Sequence, residues 1–181
     1  DIQNYTTTDT PITGDINFKD VQLIYNNNNI KALDNVSFTI KEGETLGIFG
    51  KTGSGKSTIA NLICRLYNTT EGEITFGEIE IKKLNLNNLR LAIGYIPQDG
   101  YLFSGTIREN IAFSSNNIDE ERILDAAKKA EILEEITNFT NGLDTIIGER
   151  GVQLSGGQRQ RLAIARTFYK QPDIFIFDDC L

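Results

Sequence analysis

The chain has no histidine, no methionine and no tryptophan, and its 181 residues include only two cysteines and three prolines. Without histidine, no imidazole can serve as general acid, general base or metal ligand. Cys64 and Cys180 stand far apart with no metal-type spacing, so two free thiols in a reducing compartment are expected. No apolar run approaches the roughly 20 residues that a membrane-spanning helix needs. An excess of basic residues is also lacking: 18 Lys and Arg against 25 Asp and Glu give a net charge of −7 and a pI near 4.7, which argues against a general nucleic-acid surface. No basic segment precedes an apolar one at the start, and the chain begins with Asp1, so we expect an internal piece of a longer protein without a targeting segment. Hydrophobic residues at 39% and charged residues at 24% fit a soluble globular piece, and the length fits one domain.

What is present divides along the chain. Residues 1–14 (DIQNYTTTDTPITG) are polar and Thr-rich, as a linker or frayed end is, and the fold is expected from Asp15. Ile16 and Phe18, then Val21, Leu23 and Tyr25, alternate as in a half-buried strand with a break that predicts a bulge. NNNN at 26–29 reads as a turn, and VSFTI (36–40) and ETLGIF (44–49) read as strands. The next segment, KSTIANLICRLY, puts Ile59, Leu62, Ile63 and Leu66 on one helical face. EGEITFGEIEI (71–81) returns to short strands, and LAIGYI (91–96) reads as a buried one. Residues 100–148 read as mainly helical; Ile123, Ala127, Ala130, Leu133 and Ile136 keep helical spacing over Asp119–Ile136, with Asn117 and Glu120, or Asp119 alone, as N-terminal cap. A helix from about Gly157 to Lys170 then precedes the apolar strand IFIF. This order predicts an α/β sheet with an inserted helical segment.

Between strand and helix, GKTGSGKS (Gly50–Ser57) matches G-x-x-x-x-G-K-[ST], the pattern of a phosphate-binding loop. Gly50, Gly53 and Gly55 admit backbone conformations that let successive N–H groups converge on phosphate oxygens, at a helix N-terminus that favours an anion. Lys56 is expected on the β- and γ-phosphates and Ser57 on Mg²⁺. A plain Gly/Ser connector is the alternative, and the flanking strand and helix weigh against it. Phosphate-loop enzymes set a Mg²⁺-organising Asp at the end of a neighbouring apolar strand; IFIFD offers Asp178, and Asp179 could polarise an attacking water. A capping Asp after a buried strand is the bland reading, and the phosphate loop upstream weighs against it. Farther in, LSGGQRQRLAIARTFYK starts with Ser and two Gly at a helix N-terminus, a second anion-ready turn.

Taken together, GKTGSGKS, LSGGQ and IFIFDD resemble the ATP-binding domain of an ATP-binding cassette (ABC) transporter, over nearly everything from Asp15 onward. LRLAIGYIPQDGYLFSGTIRENIAF is similar to the exporter branch, and GERG (148–151) to the exporter segment that touches the membrane domains. The resemblance implies a P-loop NTPase (RecA-like) α/β core, an N-terminal antiparallel β subdomain and an inserted helical signature subdomain at about 100–165, with the core cut short after the second acidic motif. It implies ATP and Mg²⁺ as cofactors, held by Gly50, Lys51, Thr52, Gly53, Ser54, Gly55, Lys56, Ser57 and Thr58. Tyr25 would stack on adenine, Gln98 would share Mg²⁺ with Ser57 and Asp178, and Asp179, Lys56 and Gln98 would serve catalysis. Leu154, Ser155, Gly156, Gly157 and Gln158 would act in trans, on the γ-phosphate bound by a second such domain in a head-to-tail dimer. Glu149 and Arg150 would meet coupling helices of a transmembrane domain, which sets the chain at the cytoplasmic face of a membrane.

Two departures qualify the resemblance. The family usually has Glu where Asp179 stands, and a side chain one methylene shorter withdraws its carboxylate by about 1.5 Å. Asp there is similar to the degenerate half of heterodimeric exporters, which hydrolyses ATP slowly and lends its signature to a partner. The loop and switch His that the family carries next would lie beyond Leu181, so little ATPase is expected of this piece alone. Three readings follow: an ATP-hydrolysing exporter domain, a nucleotide-gated dimerisation module with a weak site, and a soluble ABC ATPase.

Overall fold

A computed structural model describes residues 2–4, 6, 10–25, 29–113, 115, 117–148 and 151–179. The chain forms two compact units, Asp1–Ala92 and Ile93–Leu181. The first is built on an antiparallel sheet. Strand β1 (Ile16–Tyr25) buries Ile16, Phe18, Val21 and Leu23, as the alternation predicts. Its register slips between Phe18 and Val21, where Asp20 takes φ 50°, so the predicted bulge is present. Strand β2 (Ile30–Ile40) pairs with one edge of β1 and sets Phe38 opposite Phe18 with ring centroids 4.4 Å apart.

Helix α1 (Lys56–Ile63) buries Thr58, Ile59, Ala60, Leu62 and Ile63. It ends at Cys64; Arg65 turns left-handed at φ 48°, so Leu66 leaves the predicted apolar face and is 44% exposed. Strand β3 (Glu71–Phe76) pairs with the other edge of β1 and with β4 (Ile79–Glu80), giving the order β2-β1-β3-β4. Helix α2 (Leu86–Ala92) takes the first two residues of what reads as strand LAIGYI; the Asn85 carbonyl side chain accepts from Asn87 N–H at its start, and Leu91 points outward. Among the described residues of 1–14, the Gln3 carbonyl accepts from the Arg65 guanidinium at 2.8 Å, and Asn4 Oδ1 accepts from Leu86 N–H at 2.9 Å.

One predicted strand is absent. Residues 44–50 are irregular and exposed, with Phe49 95% open, and no described segment pairs with them. A strand is held by its ladder, and an apolar pattern without a paired neighbour supplies none of those hydrogen bonds. The predicted turn at 26–29 lies outside the described residues except for Asn29, which is left-handed at φ 51°.

The second unit begins with β5 (Ile93–Ile96), followed by β6 (Gly105–Thr106), α3 (Ile107–Ile111), α4 (Glu120–Lys129), α5 (Leu133–Asn138), β7 (Ile146–Ile147), α6 (Gly156–Lys170) and β8 (Ile174–Phe177). The pairs are β5 with β8, parallel, and β6 with β7, antiparallel. Helices α3, α4 and α6 pack around Ile107, Ile111, Ile123, Ala126, Ala127, Leu162 and Ala165. The helix predicted over 119–136 is broken in two, because Ala130 closes α4 and Glu131 is left-handed at φ 53°. Asp119 is its cap, accepting from Arg122 N–H. Strand β8 is less buried than IFIF suggests: Phe175 is 41% and Phe177 46% exposed on one face, and among the described residues β8 pairs with β5 alone. No helix among the described residues is long and apolar enough to cross a membrane.

Candidate functional site

The phosphate loop runs from the exposed Gly50, Lys51, Thr52, Gly53 and Ser54 into α1. Gly55 caps the helix at φ 92°, where a Cβ would also lie 2.6 Å from the Ala32 carbonyl, so only glycine serves there. Gly53 is left-handed too, at φ 80°. Gly50 is not; a Cβ on it would meet Ser54 Oγ at 2.5 Å, so close approach rather than a left-handed backbone is its reason. No side-chain cap hydrogen bond closes the start of α1 and no acid lies in its first turn, an electrostatic setting that favours an anion at this helix end. Lys56 Nζ donates to the carbonyls of Gly50 at 2.9 Å and Lys51 at 3.1 Å, folding the ammonium back over its own loop. Ser57 is exposed beside it, and buried Thr58 shares a hydrogen bond with the Tyr25 hydroxyl at 3.1 Å.

In the second unit, the ladder of β5 and β8 continues one step to Asp178, whose N–H donates to the Ile96 carbonyl at 3.0 Å. Tyr95, in β5, donates its hydroxyl to Asp178 Oδ2 at 3.0 Å. Nothing in the sequence singled out Tyr95, since its role follows from a strand register that pairs it with Ile176. Asp179, left-handed at φ 51° and exposed, accepts from Gln98 Nε2 at 3.1 Å. The Gln98 amide thus spends one of its two N–H donors on Asp179 and keeps a carbonyl oxygen for another role. No cluster of three or more His, Cys, Asp or Glu exists among the described residues. Within this unit the Gln98 amide and the Asp178 carboxylate are oxygen donors with one charge between them, the kind that suits Mg²⁺, an ion that takes few protein ligands and completes its shell with phosphate and water.

The signature turn is Ser155 at the N-terminus of α6. Ser155 Oγ accepts from Gln158 N–H at 3.2 Å and Gln158 Oε1 accepts from Ser155 N–H at 2.8 Å, a complete capping box. Buried Leu154 anchors the turn and its carbonyl accepts from Arg159 at 2.7 Å, while Ser155, Gly156 and Gly157 are exposed. Glu135 of α5 holds the turn from behind: it accepts from Gln158 Nε2 at 2.7 Å and pairs with Arg161.

Close to the start of α3 a second capping box joins Thr106 and Glu109. The pattern T-x-x-E was legible in the sequence. Donation from the Thr106 backbone and hydroxyl holds the Glu109 carboxyl below the usual carboxylate range. Arg108, bonded to Asp144 and Glu120, has its pKa raised by both. An exposed aromatic group lies alongside: Phe103 and Phe113 stack at 4.0 Å, Tyr101 meets Phe103 edge-on, and Arg166 reaches over both phenyl rings while bonding Asn110 and the Tyr101 carbonyl. Burial pushes the Arg166 pKa down. Glu149 and Arg150 lie outside the described residues.

The ABC transporter family model matches residues 33–181. The chain is 48% identical over 168 residues to the uncharacterized ABC transporter ATP-binding protein YfiB of Bacillus subtilis, covering 93% of this chain and 29% of that protein. It is 44% identical over 169 residues to the ATP-dependent lipid A-core flippase of Mannheimia succiniciproducens, with coverage of 93% and 29%. A solved bacterial Atm1-family ABC exporter with ATP bound superposes with a TM-score of 0.91 at 36% identity, covering 99% of this chain and 32% of that one. The chain therefore belongs to the ABC transporter family, and its fold is that of an ABC nucleotide-binding domain. It spans less than a third of the length of these relatives.

Proposed function

We propose that the chain is the ATP-binding and ATP-hydrolysing domain of an ABC exporter, working at the cytoplasmic face of a membrane and powering transport by ATP-driven dimerisation. The observation that carries this is the coexistence, in one chain, of an uncapped phosphate loop with its lysine and a fully capped, exposed LSGGQ turn. The loop serves the chain's own nucleotide, and the Ser155 hydroxyl with the Gly156 and Gly157 N–H groups would donate to the γ-phosphate held by a second domain in a head-to-tail dimer.

In this reading Tyr25 stacks on adenine. The loop N–H groups, Lys51, Thr52, Ser54 and Thr58 line the phosphates, and Lys56 exchanges its two carbonyl partners for β- and γ-oxygens. Ser57, Gln98 and Asp178 would hold Mg²⁺, which when bound offsets phosphate charge. Tyr95 orients Asp178, and Gln98 orients Asp179 toward the water that attacks the γ-phosphate in line. The aromatic group of Tyr101, Phe103 and Phe113 is a ready contact for coupling helices of a transmembrane domain, because exposed apolar rings beside charged residues suit a protein partner.

Asp179 favours a second reading, in which this site turns over slowly and the chain mainly gates dimerisation beside a competent partner. A shorter carboxylate falls short of its target by about 1.5 Å, and a misplacement of roughly 1 Å can cost on the order of 10²-fold in rate. ATPase assays on the full-length protein in lipid test both: turnover abolished by Lys56→Ala supports hydrolysis at this site, and turnover indifferent to Lys56→Ala overturns it.

A further inference from the structure

Tyr25 is held by both ends of the same helix. Its hydroxyl shares a hydrogen bond with Thr58 Oγ1, in the first turn of α1, at 3.1 Å. Its ring meets that of Tyr67, just past the end of α1, with centroids 5.0 Å apart and planes at 83°, an edge-to-face contact. The chain is steered back to Tyr25 by specific bonds. Arg65 turns left-handed, Leu66 N–H donates to the Asn61 carbonyl at 2.8 Å, and Thr70 is stapled to β1 on both sides. Thr70 N–H donates to the Gln22 carbonyl at 2.8 Å, and Thr70 Oγ1 accepts from Ile24 N–H at 3.0 Å. The Tyr67 ring is thus delivered to the end of β1 by backbone pairing, independently of the loop at 50–55.

From this geometry we infer that Tyr67 is a positioning residue for base recognition: it fixes the orientation of the Tyr25 ring so that one face is presented to a purine. The inference rests on the reading of Tyr25 as the base-stacking residue. A stacking platform loses area when its ring can swing about χ1 and χ2, and an edge-to-face neighbour restricts that swing without covering the ring. Because Tyr25 also bonds Thr58, the restraint ties the base contact to the first turn of the helix that receives the phosphates.

The test compares ATP with inorganic tripolyphosphate, a ligand without a base, on the full-length protein. Tyr67→Ala and Tyr67→Leu are expected to weaken ATP binding and raise KM by roughly 2- to 12-fold, the range an aromatic pair is worth, with kcat and tripolyphosphate affinity unchanged. Tyr67→Phe keeps the ring and is expected to restore ATP affinity. In a Tyr25→Ala background, Tyr67→Ala is expected to add nothing. Equal weakening of both ligands by Tyr67→Leu, or no effect on either, overturns the proposal. If Tyr25→Ala itself leaves ATP affinity unchanged, the base-stacking reading fails; if Tyr25→Ala weakens ATP and Tyr67→Leu does not, only the role of Tyr67 fails.

Discussion

Gln98 Nε2 donates to Asp179 Oδ2 at 3.1 Å, so the residue after the strand-end Asp178 and the amide after β5 act as one unit. The bond draws the carboxylate toward Gln98, on a backbone already turned left-handed at Asp179. That placement bears on whether this acid can reach and polarise a water.

Asp179→Glu in the full-length protein is therefore expected to raise ATP turnover, by up to about 10²-fold if placement is what limits the rate. Steady-state phosphate release measures it. An unchanged rate would remove side-chain length as the limiting feature and with it the weak-site reading.

Lys56 offers a second test. Its ammonium donates to the Gly50 and Lys51 carbonyls, which folds the lysine over its own loop. Lys56→Met keeps the length of the stem and removes the charge. Hydrolysis is expected to fall by about 10²- to 10³-fold, the scale of losing one preorganised donor at a site of developing charge. Calorimetric titration should show weakened ATP binding along with the lost turnover.

Local signals in the sequence were sound where the structure they specify is local. The glycine turn into α1, the Ser155 cap, the bulge in β1 and the amphipathic faces of α1 and α4 each depend on residues within one or two turns, and each is legible. The errors fall where a partner decides. ETLGIF has a strand's composition but no ladder among the described residues, and IFIF, which pairs with β5 alone among those residues, leaves the rings of Phe175 and Phe177 half-exposed on one face. Leu91 and Ala92 close helix α2 although LAIGYI (91–96) reads as continuous strand; the helix starts at Leu86, five residues before that apolar run, with Asn85 Oδ1 accepting from Asn87 N–H. Of the candidate site, Tyr95 and Glu135 were invisible: one acts across a parallel strand pair and the other across two helices, and neither spacing leaves a mark in sequence.

Glu109 predicts a pH dependence. Its folded pKa lies below the ordinary value of 4.5, held there by donors on Thr106. A depressed carboxylate contributes stability above its unfolded pKa and loses it as pH falls through the folded value. Amide exchange at the start of α3 should accordingly be slower in the wild type than in Glu109→Gln near pH 6, with the difference vanishing well below pH 4.5. A difference that persists at low pH would mean that the amide, not the charge, carries the cap.

Ser155 separates folding from function most cleanly. Ser155→Ala removes the acceptor for Gln158 N–H and is expected to cost about 1 kcal/mol of stability, so any loss of activity would be ambiguous. Ser155→Asp avoids that ambiguity, because Asp is as good an N-cap and its charge favours the helix N-terminus. The thermal midpoint should stay at or slightly above that of the wild type. The same carboxylate, exposed at the turn, would face a triphosphate held by a partner domain and repel it. ATP-driven dimerisation, followed by light scattering or crosslinking, should then fail while ATP binding within the variant chain is retained. Dimerisation at wild-type ATP concentrations in a stable Ser155→Asp protein would show that the signature does not meet phosphate in trans.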